Sequence, residues 1–294
     1  MITIKTDNEI ELLRQGGRIL GQIMKRLIGE IKPGVTTDHL EEMANFLIGQ
    51  AGGRPSFKGY QADKNDKPFP TALCVCVNNE VVHAPALPSR ELKSGDLITI
   101  DLGMEYPAYV KVTAGKSLPA SIGSDVANTS AGAVESGKSA GRRGYYTDMA
   151  VTVAVGKVSR QAVKLIRVAK QALKLGLEQV RPGNSLNNIG KAIEQHVKRS
   201  SDFSVVRDLV GHGVGYELHE DPQVHNYDYA YNKKIILKPG MVLAIEPMVN
   251  AGGFEVRTGA DGLTVLTADG SLSAQFEHTI LVTENGYEIL TAYE

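Results

Sequence analysis

Four acidic residues lie within or beside runs of apolar residues that have the composition of buried strands. Asp101 follows the run LITI, Glu246 follows VLAI, Asp148 precedes MAVTVAV, and Glu277 precedes HTILV. Burying a carboxylate is costly unless a cation compensates its charge. A single acid of this kind is more often a hydrogen-bonded structural residue. Four of them, without a matching set of lysines or arginines in apolar runs, favour bound metal.

Two histidines occur in the glycine-rich, charged segment GHGVGYELHEDP at residues 211–222. His212 lies between two glycines, so a ligand can approach it closely, and His219 follows in the same segment. Four carboxylates and one imidazole form an oxygen-rich donor set. This set suits two hard divalent ions rather than structural zinc, because structural zinc prefers thiolates and imidazoles. Two adjacent ions can acidify a bridging water and polarise a carbonyl, so the set predicts hydrolysis of an amide or ester.

These residues must be positioned by a chain that alternates between helical and strand-like patterns. Apolar residues recur at helical spacing after the capping sequence that begins at Thr6, and again after Ser159. The predicted helices run from Thr6 to about Lys32, from about Thr37 to Gly52, from Ser159 to Val180, and from about Ser185 to Arg199. The predicted strands lie at 74–77, 80–84, 96–106, 145–156, 203–210, 241–249, 263–267 and 275–283.

The two halves of the chain repeat one pattern. The matching segments are IKPGVT with VRPGNS, beginning at 31 and 180, and LKSGDLITIDLG with LKPGMVLAIEPM, beginning at 92 and 237. Both matches occur in the same order at nearly the same offset, which indicates an internal repeat related by a pseudo-two-fold. The second match aligns Asp101 with Glu246. We therefore expect both carboxylates to point into the interface between the halves.

Length and composition exclude several classes of protein. The chain has 294 residues, of which 42% are hydrophobic and 22% charged, and this excludes disorder throughout. Lys and Arg number 32 against 33 Asp and Glu, so no overall field favours DNA or an anionic membrane. Two cysteines cannot form a disulfide framework or a four-thiolate zinc site. No apolar run approaches the roughly 18 residues of a membrane span, and the N-terminus lacks a signal-peptide pattern, so we expect a soluble cytoplasmic protein.

Six motifs together resemble those of the methionine aminopeptidases of the short, bacterial-like type I, which belong to the pita-bread metallopeptidases. The motifs are NNEVVHAPA (78–86), GDLITIDLG (95–103), YTDMAVTV (146–153), GHGVGYELHEDPQV (211–224), LAIEPMVN (243–250) and LSAQFEHTI (272–280). The resemblance covers nearly the whole chain apart from 107–143. It implies an α+β pita-bread fold, with two pseudo-symmetric αβ halves, a curved antiparallel sheet and outer helices. It also implies one catalytic domain over 1–294.

The resemblance implies a metal-ligand set and a reaction. The implied ligands are Asp101, Asp148, His212, Glu246 and Glu277, the same residues that the cost of burial and the donor chemistry indicate. They would hold two divalent ions, with Co, Mn, Fe, Zn and Ni all left open. The implied activity is that of a hydrolase that removes the initiator methionine from nascent chains when the next residue is small. A hydroxide bridged by the metals would attack the first peptide carbonyl.

The resemblance also assigns catalytic roles to three residues. His83 matches a family histidine near the scissile amide; the alternative is a strand-end histidine bonded to a nearby carbonyl. His219 matches the histidine that stabilises the developing oxyanion. Glu246 is expected both to hold metal and to accept a proton from the attacking water.

Five further residues are expected to form the methionine pocket. Tyr60, Phe69 and Cys74 match the family's pocket-forming region. Leu218 and Leu263 replace aromatic residues that many relatives have, which reduces aromatic contact and leaves the breadth of substrates open. The alternative for each of the five is an ordinary core position.

A segment rich in Ala, Ser and Gly, at about 107–143, separates Asp101 from Asp148. In the family these two ligands lie on neighbouring strands joined by a tight hairpin, so this segment is typical of a flexible, mildly basic insertion. Each doubling of the length of a surface hairpin loop costs only about 0.6 kcal/mol of free energy, through the entropy of closing the loop. We therefore expect Leu102–Tyr106 to pair with Gly144–Met149. The excess of Lys and Arg suggests transient contact with the ribosome; the alternative is an inert loop.

Two other functions remain as alternatives. An Xaa-Pro aminopeptidase or prolidase usually carries an additional N-terminal domain, and the ligand-bearing region here begins too early to allow one. A non-catalytic, peptide-binding relative would typically have lost ligands, whereas all five are present. The family expectation is a monomer whose partners are nascent polypeptide N-termini, with no DNA or membrane partner.

Overall fold

The structure, a computed structural model, describes residues 1–108 and 144–293. The predicted insertion at 107–143 therefore lies outside the described residues, apart from Pro107 and Ala108. Within the described part, no helix is both long and apolar enough to cross a membrane.

Four α-helices among the described residues form two pairs, one in each half of the predicted repeat. They are α1 (Asp7–Glu30), α2 (Thr37–Gln50), α3 (Arg160–Leu177) and α4 (Leu186–Ser200), and a short 3₁₀ helix spans Ala230–Lys234. The capping box before α1 is present, because the backbone N–H of Thr6 donates to Glu9 Oε2 at 2.7 Å. Each pair is joined through a Pro-Gly turn in which Gly34 and Gly183 have φ of 91° and 90°. Only glycine adopts this conformation without strain, which explains why both halves keep it.

Fifteen strands among the described residues form four antiparallel sheets. The strands are β1 (Arg54–Pro55), β2 (Leu73–Val77), β3 (Glu80–Val82), β4 (Leu97–Tyr106), β5 (Tyr145–Ala154), β6 (Ser204–Val205), β7 (Gly211–Gly213), β8 (Glu220–Val224), β9 (Val242–Ile245), β10 (Met248–Asn250), β11 (Val256–Thr258), β12 (Val265–Thr267), β13 (Ser273–Gln275), β14 (His278–Thr283) and β15 (Gly286–Ile289). One sheet has β1, β4 and β2 in order, with β5 also paired to β4. The largest has the order β15-β14-β9-β7-β8, and the two others are β13-β10-β6 and β11-β12-β3.

The expected pairing across the insertion is present. Ten consecutive residue pairs join β4 to β5, from Leu97 opposite Ala154 to Tyr106 opposite Tyr145. Leu102–Tyr106 thus pairs with Tyr145–Met149, and this register places Asp101 opposite Ala150.

Several predicted strands are shorter or broken in the structure. The predicted strand 241–249 is divided into β9 and β10 by Glu246 and Pro247, since proline cannot donate to a ladder. The predicted strand 275–283 breaks at Phe276 and Glu277, and only Ser204–Val205 is extended within 203–210. Both glutamates therefore lie at strand ends, whereas Asp101 and Asp148 lie inside strands rather than at their ends.

One hydrophobic cluster contains residues of both halves. It includes Leu20 and Met24 of α1, Ile100 of β4, Leu165 of α3 and Ile280 of β14, all fully or almost fully buried. The expectation of a single domain fits this shared core and stays a prediction.

Candidate metal centre and active site

The five predicted ligands come from two sheets that touch through backbone contacts between β5 and the segment just before β14. Asp101 and Asp148 extend from β4 and β5, while His212 is the central residue of β7. Glu246 follows β9 and Glu277 precedes β14, and these strands pair so that His278 lies opposite Ile245. The two glutamates are therefore brought side by side at adjacent strand ends.

A backbone contact joins the two sheets at this point. The N–H of Glu277 donates to the carbonyl of Ala150 in β5 at 2.9 Å, and Val151 forms a bridge to Phe276. Because Ala150 is opposite Asp101 in the β4–β5 register, this contact brings Glu277 to the same place as the aspartates.

The side chains of the five residues converge. His212 Nε2 lies 3.5 Å from Asp148 Oδ2 and 3.6 Å from Glu246 Oε1. Asp148, His212 and Glu277 offer ligand atoms that all lie within 4.8 Å of one another, and all three residues are buried. Asp101 is buried too, with 7% of its surface exposed.

Hydrogen bonds hold the ligands in place. His212 Nδ1 lies 2.9 Å from the carbonyl of Gly213, to which it donates, so Nε2 is left with its lone pair directed at the carboxylates. The hydroxyl of Thr279 contacts Asp148 Oδ1 at 2.9 Å and accepts from the backbone N–H of Asp148 at 3.0 Å. Gln275 Nε2 donates to Glu246 Oε2 at 3.3 Å.

The shifted pKa values of the cluster indicate that bound cations would stabilise its ionised carboxylates. Burial, followed by repulsion from neighbouring carboxylates, raises the pKa of Asp101, Glu246 and Glu277 well above the ordinary range. Burial raises the pKa of Asp148 to about 6, although His219 and Thr279 oppose the shift, and burial lowers the pKa of His212 to about 4. Asp101 Oδ1 is buried without a hydrogen-bond partner among the described residues. The cluster therefore fits a site for divalent metal. Bound cations would give the unpartnered Asp101 oxygen a partner and would relieve the repulsion among the carboxylates, and the neutral imidazole is a suitable ligand.

Two further histidines flank the carboxylate cluster. His83 lies in the loop after β3 with φ of 60°, a strained conformation for a residue with a side chain. His219 is close to the cluster, because its ring centroid lies 4.4 Å from that of His212. Both residues are exposed and line the same cavity. The loss of hydration lowers the pKa of His83 and lowers that of His219 to about 4.

A cavity of about 390 Å³ brings all twelve predicted site residues together. Its lining includes the five proposed ligands, both flanking histidines and the five expected pocket residues. Of the pocket residues, Phe69, Cys74 and Leu218 are buried, and Tyr60 and Leu263 are half-buried. A second cavity of about 390 Å³ shares His83, His212, His219 and Glu246 with the first. The carboxylate cluster thus borders two spaces.

Sequence reasoning did not single out several residues of this site. The wall also contains Phe57, Gln61, Ala62, Asp66, Lys67, Val82 and Gly262. The supporting residues Thr279 and Gln275 were missed as well. The signal for Thr279 was present, because a hydroxyl in the apolar run HTILV is expected to have a buried partner.

Comparison with known proteins gives the class to which this fold and site belong. The sequence profile of metallopeptidase family M24 matches residues 11–114 and 134–284. The chain belongs to metallopeptidase family M24.

Individual relatives show which group of family M24 the chain is most similar to among those compared. The chain is 42% identical to methionine aminopeptidase 1 of Bacillus subtilis over 292 residues, which are 99% of each chain. The crystal structure of methionine aminopeptidase from Thermotoga maritima superposes with a TM-score of 0.81 at 36% identity, covering 99% of this chain and 100% of that one. A methionine aminopeptidase from streptococci gives 0.82 at 34% identity, covering 100% and 98%. Within family M24 the chain therefore groups with the methionine aminopeptidases, and the predicted pita-bread fold is confirmed.

Proposed function

We propose that this protein is a metal-dependent aminopeptidase that removes the N-terminal methionine of a polypeptide when the next residue is small. The observation that carries the proposal is the cavity in which the carboxylate cluster and an apolar wall face the same space. The full-length similarity to methionine aminopeptidases supports it. The cleavage itself is hydrolysis of the first peptide bond.

Five residues would hold the metal. We assign Asp101, Asp148, His212, Glu246 and Glu277 as ligands, because all five converge and the carboxylates lack cationic partners within the cluster. Two divalent ions bound there would acidify a water molecule and polarise the first peptide carbonyl.

The chain's own groups would carry the remaining chemistry. Glu246, whose carboxylate lines the cavity beside His212, would accept the proton of the attacking water. His219, neutral at working pH, would donate a hydrogen bond to the carbonyl oxygen as negative charge develops. His83 stands across the same cavity, and we assign it a contact with the scissile amide.

The apolar wall would receive the methionine side chain. Phe69 packs edge-on against Phe57, with ring centroids 6.4 Å apart, and Cys74 lies opposite Asp101 in the β2–β4 register. This register places the wall beside the metal ligands, so a bound side chain would bring its own peptide bond to the cluster. Leu218 and Leu263 provide aliphatic rather than aromatic surface.

Finer features of the proposal stay predictions. We expect manganese, iron, cobalt, nickel or zinc to support activity, with two ions bound. We also expect a monomeric state, a cytoplasmic location and transient contact of the 107–143 segment with ribosomes, on the grounds of the resemblance and of composition.

The deciding experiment measures release of free methionine from Met-Ala-Ser by chelator-treated protein supplied with Mn²⁺, Fe²⁺ or Co²⁺. Metal-dependent release that is lost in Asp101→Ala supports the proposal. An Ala-Pro peptide, run in parallel, tests the Xaa-Pro alternative. Cleavage of Ala-Pro alone would favour a prolidase. No turnover with any metal, in a folded protein that still binds the peptide, would favour the non-catalytic alternative.

A further inference from the structure

The hydroxyl of Tyr60 lies 2.6 Å from His219 Nδ1, and the two rings meet edge-on with centroids 5.0 Å apart. Both residues line the cavity, Tyr60 as an expected methionine-pocket residue and His219 beside the proposed ligand His212. A single hydrogen bond therefore connects the expected methionine pocket to a histidine beside the metal ligands.

The direction of this hydrogen bond follows from the chemistry of both groups. Burial raises the pKa of Tyr60, so its phenol keeps its proton, and the imidazole of His219 is considered in its neutral form, which an ordinary histidine adopts at neutral pH. No other hydrogen-bond partner of the Tyr60 hydroxyl occurs within 1–108 and 144–293. The phenol is a better donor than a neutral imidazole, and a pyridine-type ring nitrogen is a strong acceptor. Tyr60 therefore donates, His219 Nδ1 accepts, and the ring proton of His219 is on Nε2.

The backbone around Tyr60 fixes its hydroxyl. The N–H of Tyr60 donates to the carbonyl of Phe57 at 2.9 Å. Phe69 closes the loop from the other side, because its N–H donates to the carbonyl of Tyr60 at 2.9 Å and its carbonyl accepts from Gly59 at 2.7 Å. Backbone hydrogen bonds thus join Tyr60 directly to Phe69 of the pocket wall.

The loop that carries His219 is held separately. Glu220 Oε1 accepts from the backbone N–H of Glu217 at 3.1 Å and from that of Tyr216, so the turn before His219 is tied to the residue after it. The main chain fixes where the His219 ring is, and this leaves its tautomer to be set by Tyr60.

We propose that Tyr60 is a positioning residue that holds His219 as the Nε2–H tautomer. Binding of a methionine side chain against Tyr60 is then coupled to the hydrogen bond that His219 Nε2 donates to the peptide oxygen. The inference deepens the proposed function and rests on it. A neutral histidine can donate through Nε2 only if Nδ1 has no proton, and a phenol bonded to Nδ1 enforces that state. The coupling makes the pocket contribute to the rate of bond cleavage as well as to binding.

The kinetic test compares Tyr60→Phe with Phe69→Leu, using Met-Ala-Ser and the metal-loaded protein. Tyr60→Phe keeps the ring and removes only the hydroxyl. We expect kcat to fall about 3- to 10-fold with little change in KM, which matches the net worth of one hydrogen bond. Phe69→Leu alters the pocket but keeps the Tyr60 hydroxyl, and we expect a higher KM with a smaller fall in kcat than in Tyr60→Phe. In a His219→Gln background, Tyr60→Phe should change kcat less than about 2-fold.

The structural test reads the tautomer directly by ¹⁵N NMR of histidine-labelled, zinc-loaded protein, with His219 assigned by the loss of its signals in His219→Gln. We expect a pyridine-type Nδ1 in the parent protein and a mixture of tautomers in Tyr60→Phe. An unchanged tautomer, or an unchanged kcat, in Tyr60→Phe would overturn this inference alone. Wild-type kcat in His219→Gln would overturn the catalytic role of His219 in the proposed function as well, so the two failures are distinguishable.

Discussion

Asp101 and Asp148 are diagonal neighbours on one face of the β4–β5 pair, because Asp101 is opposite Ala150 and Asp148 is opposite Gly103. Alternate residues of a strand share a face, so this offset of two directs both carboxylates to the same side. A shift of one residue would turn one aspartate to the other face. The register of this hairpin therefore fixes the relative position of these two proposed metal ligands.

Replacing residues 109–143 with a short Gly-Asn-Gly linker should leave metal-dependent methionine release within about 2-fold of the parent protein, since a shorter connection lowers the closure cost. The ten residue pairs of β4 and β5 keep the aspartates in register without the deleted segment. Inserting one alanine between Met104 and Glu105 is the matched control. That insertion leaves Asp101 and Asp148 on their strands but disturbs the pairing nearest the turn.

The shortened variant also tests the segment's proposed contact with the ribosome separately from its effect on the β4–β5 register. A shortened protein that is folded but inactive would contradict the register argument. Ribosome co-sedimentation of the parent and shortened proteins tests the predicted contact, and equal co-sedimentation would rule out a role for 109–143 in it.

Thr279→Val should weaken metal binding about 10- to 100-fold, the range seen when a residue that orients a ligand is lost. The hydroxyl of Thr279 bonds both the backbone and the carboxylate of Asp148, and valine has the same shape without the oxygen. Titration of chelator-treated protein with Mn²⁺ in a calorimeter measures the change. Thr279→Ser, which keeps the hydroxyl, should bind within about 3-fold of the parent protein. Equal affinity of the valine variant would show that Asp148 needs no such support.

The proposed metal ligands could be selected from the sequence because each has a local signature. A carboxylate such as Asp101 in an apolar strand, or a histidine between glycines such as His212, conflicts with its surroundings unless it has a partner. The chemistry of such residues can be deduced before their neighbours are known. The helices were predictable for a similar reason, since their periodicity is local, whereas the β4–β5 pairing was predicted from the family resemblance.

The parts that the sequence did not predict depend on distant contacts. Tyr60 lies in an irregular segment without periodicity, so its bond to His219 appears only once the fold brings the two loops together. Gln275 resembles an ordinary polar position in a strand, and the sequence around Thr279 indicates a buried partner without showing that it is Asp148. The break at Glu246 had a visible cause in Pro247, yet the apolar residues on both sides favoured one continuous strand.

Metal should stabilise the protein more as the pH rises above 6.5. The folded-state pKa values of Asp101, Glu246 and Glu277 are raised, so the metal-free fold is favoured while these groups are protonated and loses stability as they ionise. Each such proton changes the free energy of unfolding by about 1.4 kcal/mol per pH unit within its titration range. His212 and His219, whose pKa is about 4, are neutral in this range, as are most unfolded-state histidines.

Thermal unfolding with and without Mn²⁺, from pH 6.5 to 8.5, measures this effect. The difference in Tm between the loaded and the metal-free protein should grow with pH, because binding must displace the protons. In Asp101→Asn the metal-free protein should lose less stability over the same range. A metal-induced increase in Tm that does not change with pH would contradict the assignment of these carboxylates.

Lys5→Met should lower the free energy of unfolding by about 3 kcal/mol, at the lower end of the cost of breaking a buried ion pair. Lys5 Nζ contacts Glu220 Oε2 at 2.8 Å, with 0% and 8% of the two side chains exposed. Methionine fills a similar volume but leaves the Glu220 carboxylate without its cation. Urea unfolding of the metal-loaded protein measures the loss, and Lys5→Met combined with Glu220→Gln should regain part of it, since the unpaired charge is then gone.

The same substitution tests whether the N-terminal segment helps to position His219. Glu220 directly follows His219 and, through Oε1, accepts from the backbone N–H of Glu217 in the turn before it. Once Lys5 is lost, Glu220 is expected to turn towards solvent and release that turn. The kcat for Met-Ala-Ser should then fall more than KM rises, because His219 acts on the developing oxyanion rather than on the bound substrate. Arg14→Met breaks the more exposed pair with Glu288, remote from His219, and should leave kcat unchanged. Equal kcat values in Lys5→Met and Arg14→Met would limit Lys5 to a role in stability.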